Sequence, residues 1–229
     1  MRESGESGVE NLEIMEGAVR YARHVGHLVR SGLPTDGLLV EFGAGSGFQT
    51  AYVMPPEERL LCVEVDPSVR NALAERGYRS SPRLDDADDG SCAAIYSINC
   101  IEHIADDAAI VKKFSTKLKQ GGRLVIYVPA MPILFSSMDL TVGHRRRYTR
   151  RKMRSLLEDA GYKIEELHYV DSLGIVPSFI YRFLPGASGQ PSLRSVQLYD
   201  KLLFPVSKLF DRIFSPWFGK NLFVIATWS

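Results

Sequence analysis

The chain has 229 residues, of which 45% are hydrophobic and 24% are charged, and its formal net charge is +1 at pH 7. This length fits one α/β domain with a modest addition, and the composition excludes extended disorder outside a polar leader at residues 1–10. The near-neutral charge excludes a general electrostatic attraction to nucleic acid.

Cysteine usage and hydropathy indicate the compartment. Cys62, Cys92 and Cys100 lie in apolar, strand-like segments, and their odd number favours buried free thiols in a reducing cytosol. The N-terminal segment is acidic and has no apolar core, so no signal peptide is expected. No run of about 18 apolar residues occurs, so no membrane span is expected either. We therefore expect a cytoplasmic protein with its folded domain over residues 11–229.

Helical and strand-like patterns alternate along most of the chain. Apolar residues at helical spacing predict an N-terminal amphipathic helix over Asn11–Arg30. The elements predicted after it are a strand Leu38–Phe42, a short helix ending near Pro55, a strand Arg59–Val65, a helix beginning at Asp66 and Pro67, a weak strand Tyr78–Ser81, a strand Ala93–Asn99, a helix Asp106–Leu118, a strand Arg123–Val128, a helix from Thr149 to Ala160, and strands Tyr162–Val170 and Asn221–Trp228. Such alternation predicts a Rossmann-like, doubly wound α/β sheet with helices on both faces.

The segment Asp171–Gly219 interrupts this alternation. It is rich in Phe, Tyr, Leu and Pro and separates the last two predicted strands. It is too short and too interrupted to bury a core of its own. We therefore predict a helical insertion, or cap, over residues 171–219 within the same domain.

The segment Glu41–Gly47 carries the strongest chemical signal. It reads Glu-Phe-Gly-Ala-Gly-Ser-Gly, follows a predicted strand and opens a helix, which is where ligands bind in a doubly wound sheet. A dinucleotide motif would need a glycine at position 48, where the chain has Phe48. The Glu41 carboxylate would favour a cationic methionyl amine and sulfonium over a pyrophosphate. The pattern therefore favours S-adenosylmethionine over a nicotinamide dinucleotide.

Two acidic positions extend this site. Glu64 ends the second strand, where a carboxylate can accept hydrogen bonds from ribose hydroxyls, although a solvated strand end is the alternative. Asp85 is a candidate for the adenine amine. An exposed acidic loop explains it equally well, since Asp86, Asp88 and Asp89 are its neighbours.

Five blocks of sequence, in order, resemble the class I S-adenosylmethionine-dependent methyltransferase family over Leu38 to about Gly161. They read EFGAGSG, VEVDP, SINCIEHIADD, LKQGGRLVIYVPA and MDLTVGHRRRYTRRKM. The Glu-His-Ile and Gly-His-x-Arg-Arg-Tyr motifs, together with the C-terminal YDKLLFPVSKLFDR and FGKNLFVIA, resemble one bacterial branch. Gln120, where Pro is frequent, and Ala93, where Asp is frequent, depart from the family away from the predicted pocket.

The resemblance implies a seven-stranded sheet with an antiparallel last strand. It also implies that Glu41 and the glycines contact the methionine part of the cofactor, that Glu64 contacts the ribose, and that Asn99 to Ile101 lie beside the sulfonium. The complete set of predicted cofactor contacts is Tyr21, Glu41, Gly43, Ala44, Gly45, Gly47, Glu64, Val65, Asp85, Asn99, Cys100 and Ile101.

Methyl transfer is an in-line displacement that needs alignment, exclusion of water and, for some acceptors, removal of a proton. His103 follows the fourth strand and suits a general base, unless it only pins the loop through backbone bonds. Asp139 and His144, on a later loop, are predicted to bind or deprotonate the acceptor, or are ordinary turn formers. Glu102 is predicted to orient a neighbouring helix or the methionyl end of the cofactor. No metal site is expected, because no His, Cys or Asp pair has ligand spacing.

Two further features bear on the acceptor. The basic stretch from Arg145 to Arg154 has three possible interpretations. It is the polar face of a helix, or it binds an anionic acceptor or an anionic membrane surface, and a nucleic-acid contact ranks third. The aromatic residues of the insertion either pack against the sheet, or form a lid for a hydrophobic or lipid-linked acceptor, a membrane-docking surface or a homodimer interface. These residues are Phe179, Tyr181, Phe183, Tyr199, Phe204, Phe210, Phe214, Trp217 and Phe218.

The sequence thus predicts an S-adenosylmethionine-dependent methyltransferase that acts on a small-molecule acceptor. One alternative is a partner subunit of the same fold that binds the cofactor without catalysis. The other is an NAD(P)-dependent oxidoreductase, against which Phe48 argues.

Overall fold

The computed structural model describes residues 16–183 and 192–229. The disordered leader predicted over residues 1–10, and the start of the helix predicted from Asn11, lie outside the described residues.

The seven strands form one mixed sheet in the order β3-β2-β1-β4-β5-β7-β6. They are β1 Leu38–Phe42, β2 Leu60–Val63, β3 Ser80–Ser81, β4 Cys92–Ile98, β5 Leu118–Pro129, β6 Tyr162–Val170 and β7 Asn221–Trp228. The pairs from β3 to β5 are parallel, whereas β7 lies between β5 and β6 and runs antiparallel to both. The predicted Rossmann-like sheet with an antiparallel last strand is confirmed.

Helices cover both faces of the sheet. They are α1 Val19–Ser31, α2 Phe48–Val53, α3 Pro67–Glu75, α4 Asp107–Lys117, α5 Ser137–Thr141, α6 Arg150–Asp159, α7 Ile175–Phe183, α8 Leu193–Leu198 and α9 Phe204–Phe214. Short polar side chains begin three of them, because the carboxylates of Asp66 and Asp106 and the hydroxyl of Thr149 accept backbone N–H groups of α3, α4 and α6. These helix starts agree with the sequence prediction.

Alternating strand residues divide the core between the two faces. Val40 and Ile95 pack with Phe114 and Leu157 of α4 and α6 on one face. Their chain neighbours Leu39 and Tyr96 belong to a second cluster, which includes Val25 and Val29 of α1, on the opposite face. Both clusters are nearly free of exposed surface, so the sheet is a rigid support for loops at its edges.

Two local differences from the sequence prediction have simple causes. β5 begins at Leu118 rather than Arg123, because Leu118 already pairs with Cys92 across a register shift. α5 was not predicted, since five residues carry too little periodicity. It is stabilised by a reciprocal cap in which Asp139 and Ser136 bond each other's backbone groups.

The described part of the insertion between β6 and β7 is helical, as predicted, and contains α7, α8, a π-helical turn Tyr199–Leu203 and α9. Its two ends are joined by one carboxylate, since Asp211 of α9 accepts the backbone N–H groups of Asp171 and Ser172, which directly follow β6. Phe204 is buried, but Phe210 and Trp217 remain exposed, so the aromatic residues do not all pack inward. Among the described residues, no helix has the length and apolar character needed to cross a membrane.

Candidate active site

The predicted cofactor residues gather at the carboxyl edge of the parallel strands. The glycine turn follows β1, Glu64 follows β2, and Asn99 follows β4. These three strands are neighbours in the sheet, so their C-terminal loops meet at one edge, between α1 on one side and the loop after β5 on the other.

The glycine turn is held by its backbone. The N–H groups of Gly43 and Ala44 both donate to the carbonyl of Val63 at 2.8 and 3.2 Å. Gly43 has a φ of +77°, and a Cβ there would lie 2.2 Å from the Cys100 sulfur, so no other residue fits. At Gly45 a Cβ would meet nothing within 4 Å. The middle of the turn therefore faces open space while its start is closely packed.

Glu64 joins the turn to the second strand. Its Oε2 accepts the N–H of Gly45 at 2.9 Å, and its Oε1 accepts the N–H of Asp66 at 3.1 Å. The side chain is only half-buried, so the carboxylate lies at the border between the glycine turn and solvent. Val65 beside it is 74% exposed.

Glu41 is buried beneath the turn rather than exposed on it. Its Oε2 accepts the hydroxyls of Thr50 at 2.6 Å and Tyr96 at 2.9 Å. Burial raises the pKa of this carboxyl to about 7, although both hydrogen bonds act in the opposite direction. The sequence could not identify Thr50 and Tyr96 as partners, because they belong to other elements.

The loop after β4 approaches the turn from the other side. Asn99 is exposed, has a φ of +48° and donates its N–H to the carbonyl of Tyr127 at 2.8 Å. Cys100 packs against Gly43 and is not fully buried, contrary to the prediction for all three thiols. The side chain of Ile101 belongs to the core, so it can offer a ligand only backbone atoms.

Tyr21 of α1 reaches the same edge. Its hydroxyl lies 2.9 Å from that of Tyr127 and accepts a hydrogen bond from Asn221 at 3.1 Å. Lys220 lies with its Nζ 5.9 Å from the centre of the Tyr21 ring, and burial lowers the pKa of that amine. Lys220 was missed by the sequence analysis, because a single lysine before a strand carries no pattern.

Asp85 is not brought to this edge by any described contact. Its carboxylate forms ion pairs with Lys113 at 2.7 Å and Lys117 at 3.8 Å, in the second half of α4. That half leads to Leu118, where β5 begins at the opposite edge of the sheet. The placement matches the alternative of an exposed acidic loop rather than an adenine contact.

A second cluster of polar side chains lies next to the cofactor edge. The rings of His103 and His144 stack edge to face with centroids 4.8 Å apart. Nδ1 of His144 donates to Oδ1 of Asp139 at 2.8 Å, and the same oxygen accepts Nε of Arg147 at 2.8 Å. Burial would raise the pKa of Asp139, but these partners hold it below its usual value. All three predicted catalytic residues therefore meet in space.

Glu102 forms the floor of this cluster. It is fully buried, and neither carboxylate oxygen has a hydrogen-bond partner among the residues that the structure describes. Its Oε1 lies 3.7 Å from Nε2 of His144. Burial raises the pKa of Glu102 to about 8 and, together with the neighbouring His144, lowers that of His103. The expectation of no metal site came from the absence of ligand spacing along the chain, whereas the fold brings Glu102, His103 and His144 from two loops, with donor atoms within 4.8 Å of one another.

The basic stretch is largely used within the fold. Arg146 pairs with Asp107 at 2.7 Å, Arg147 pairs with Asp139, and Arg154 pairs with Glu158 at 3.2 Å. Arg145 donates to the carbonyl of His103 at 2.9 Å. These contacts favour the structural interpretation of the stretch over an anion-binding one.

Comparisons with known proteins agree with this geometry. A family model described as a methyltransferase domain matches residues 16–167. No curated protein matches the chain significantly.

Solved structures share the fold at low identity. An S-adenosylmethionine-dependent methyltransferase from Thermotoga maritima is 17% identical, with a TM-score of 0.65, over 96% of this chain and 94% of that one. One from Archaeoglobus fulgidus is 12% identical, with a TM-score of 0.58, over 90% and 94%. The geranyl diphosphate C-methyltransferase of Streptomyces coelicolor, solved with S-adenosyl-L-homocysteine, is 15% identical, with a TM-score of 0.59, over 90% and 80%. At these identities the likeness shows the fold alone.

Proposed function

The chain belongs to the methyltransferase domain family, and on that premise we propose that it transfers a methyl group from S-adenosylmethionine to a small-molecule acceptor. The glycine turn and Glu64 would hold the donor, and the cluster of Glu102, His103, Asp139 and His144 would face the acceptor. We also propose that the chain belongs to the bacterial branch that its Glu-His-Ile and Gly-His-x-Arg-Arg-Tyr motifs resemble.

The residues at the edge of the sheet fit this donor. Gly45 borders open space, so a ligand can approach its backbone without meeting a side chain. The Glu64 carboxylate, 2.9 Å from the N–H of Gly45, is placed to accept hydrogen bonds from two ribose hydroxyls. When bound, S-adenosylmethionine supplies a methyl group on a positively charged sulfur.

Glu41 supports the turn from beneath. Its bonds to Thr50 and Tyr96 connect β1, α2 and β4, so it fixes the turn relative to two neighbouring elements. A carboxyl group at this position also favours a cationic ligand over a diphosphate when it is ionised.

The acceptor side is formed by two loops joined through Arg145. Its N–H donates to the carbonyl of Glu102 at 3.0 Å, and its Nε donates to that of His103. His103 lies one short turn beyond Asn99 and Cys100, and the His144 ring packs against it, so their imidazoles can bind the acceptor and assist its deprotonation. Asp139 acts through His144, because it fixes the orientation of that ring.

The observation that carries the proposal is the bond between Glu64 and the N–H of Gly45, which brings the predicted ribose and methionine contacts together. We therefore expect S-adenosylhomocysteine to bind the purified chain with micromolar affinity by calorimetry, and NAD(P) not to bind. Glu64→Ala should weaken that binding about 10–100-fold, because it removes charge-assisted hydrogen bonds worth about 1.5–3 kcal/mol.

Glu58→Ala is the matched control, since Glu58 is exposed at the other end of β2. Its affinity for S-adenosylhomocysteine should equal that of the unmodified chain. Binding of a pyridine dinucleotide in place of S-adenosylhomocysteine would show that the proposal is wrong.

A further inference from the structure

We propose that Glu102, His103 and His144 form a binding site for one divalent transition-metal ion of the zinc type. The ion would hold an oxygen atom of the methyl acceptor. The site as such does not depend on the proposed function, but the role given to the ion rests on it.

The donor atoms are already close to the spacing that an ion requires. One atom from each side chain lies within 4.8 Å of the others, and Oε1 of Glu102 and Nε2 of His144 are 3.7 Å apart. Ligands at about 2.1 Å in a tetrahedral site are roughly 3.4 Å from one another. Only small side-chain rotations would be needed.

The unpartnered carboxylate of Glu102 is an independent sign of a missing cation. Both of its oxygens are buried without a hydrogen-bond partner in residues 16–183 and 192–229, an arrangement that native structures avoid because the desolvated group is not compensated. An ion bound between Glu102 and the imidazoles would contact these oxygens and take the place of the carboxyl proton.

The orientation of His144 is the one that a ligand needs. Its Nδ1–H donates to Asp139 at 2.8 Å, so in the neutral imidazole Nε2, which faces the Glu102 oxygen, is the atom with a lone pair for an ion. Two acceptors in this position repel each other unless a proton or a cation lies between them. Asp139 is itself held by Arg147 and by the N–H of Ser136 at 2.9 Å. A carboxylate behind a ligating histidine is the usual support of protein metal sites.

The donor set indicates which ion and which ligand class would bind. Two imidazoles with one carboxylate suit zinc and similar transition metals better than magnesium or calcium. Three protein ligands leave a position for a further oxygen donor, and His103 opens the cluster to solvent whereas Glu102 closes its floor. We therefore expect an acceptor with a hydroxyl group.

Methyl transfer to an ion-bound oxygen needs only the acceptor and S-adenosylmethionine. On binding the ion, the acceptor hydroxyl would lose its proton to solvent, as metal-bound water does. The oxygen electron pair would then form the bond to the methyl carbon, while the carbon–sulfur bond breaks and leaves its pair on sulfur. The ion keeps its charge. In the ion-bound site both histidines act as ligands, and the ion replaces them in lowering the cost of removing the acceptor proton.

The test is a titration of tag-free, chelator-treated protein with Co²⁺, followed by visible absorption and calorimetry. We expect one saturable equivalent that Zn²⁺ displaces. Glu102→Gln, which keeps the volume of the buried side chain, should abolish saturable binding, and so should His144→Ala. Asp139→Asn should weaken binding about 10–100-fold. His27→Ala, on the exposed face of α1, should bind as the unmodified chain does.

His103→Ala should also lose saturable Co²⁺ binding. Because His103 is exposed, this variant keeps the core intact, so its loss of binding cannot be explained by unfolding. Absence of a saturable equivalent in the unmodified chain, or equal binding by the Glu102, His103 and His144 variants, overturns the proposal. S-adenosylhomocysteine is titrated into the same metal-free protein. If S-adenosylhomocysteine binds but Co²⁺ does not, the ion site alone is overturned. If Co²⁺ binds but S-adenosylhomocysteine does not, the methyltransferase proposal alone is overturned.

Discussion

Individual buried acids give this site its electrostatic character. Glu41 and Glu102 are both fully buried, and burial raises the pKa of each, to about 7 and about 8. They differ in their partners, because Glu41 accepts hydrogen bonds from two hydroxyl groups whereas Glu102 accepts none from the described part of the chain. The hydrogen bonds of Glu41 are therefore satisfied within the fold and its protonation affects folding, whereas Glu102 is the acid of the proposed ion site.

The raised pKa of Glu41 predicts a pH-dependent stability. In the unfolded chain this carboxyl ionises near 4.5, but in the folded chain it keeps its proton to about pH 7. The unfolded state therefore binds fewer protons within this window, and the free energy of unfolding falls as the pH rises through it. Glu41→Gln should remove this fall, with a gain relative to the unmodified chain that grows to about 3 kcal/mol between pH 5 and pH 8.

Urea unfolding at several pH values measures this difference. Glu58→Gln is the control and should follow the unmodified chain, because Glu58 is exposed. Parallel pH profiles for Glu41→Gln and the unmodified chain would contradict the prediction.

At the scale of the elements, the backbone conformation of the glycine turn restricts which residues the sequence can have there. Gly43, Gly45 and Gly47 all have positive φ angles, of +77°, +55° and +80°. They differ in their surroundings, since Gly43 is pressed against Cys100 whereas Gly45 borders open space. The turn is thus fixed at its base and open where the donor is proposed to bind.

Gly43→Ala should therefore lower the free energy of unfolding by more than backbone strain alone would. A left-handed φ costs an alanine about 1–2 kcal/mol, and the overlap with Cys100 adds a repacking cost of about 1–3 kcal/mol. Gly90→Ala separates the two effects, because Gly90 has a φ of +67° but open space around it. We expect a loss of about 3 kcal/mol for Gly43→Ala and about 1 kcal/mol for Gly90→Ala in urea unfolding. Equal losses would mean that the packing against Cys100 has no energetic weight.

At the scale of the whole molecule, the insertion and the N-terminal helix are coupled. α1 has no side-chain cap of its own and no acidic residue in its first turn. Instead, Asp200 of the π-helical turn accepts the N–H groups of Arg20 and Tyr21 at 3.0 and 2.8 Å. The insertion therefore stabilises the helix that carries Tyr21 to the cofactor edge.

Asp200→Ala should lower the free energy of unfolding by about 1–2 kcal/mol, because it removes a charged cap from the start of α1. It should also weaken binding of S-adenosylhomocysteine, since Tyr21 would lose a backbone contact. Asp36→Ala, at an exposed loop position, is the control for both measurements. A variant that unfolds and binds like Asp36→Ala would show that the insertion does not support α1.

The strands β1, β6 and β7, the helix starts at Asp66, Asp106 and Thr149 and the glycine turn could all be predicted from the sequence. Each depends on residues near one another along the chain, through side-chain periodicity, a local cap or a required backbone angle. The meeting of the candidate site residues at one edge follows from the parallel order of β1, β2 and β4.

Only the tertiary structure decided the contacts between distant segments. Glu102 and His144 lie on separate loops, Asp200 caps a helix near the other end of the chain, and Asp85 pairs with α4. No local pattern encodes such pairs, because side-chain packing and the paths of loops between elements determine which residues meet. For the same reason the carboxylate of Glu102, which looks like an ordinary loop acid in the sequence, proved to be buried, with no hydrogen-bond partner among the described residues.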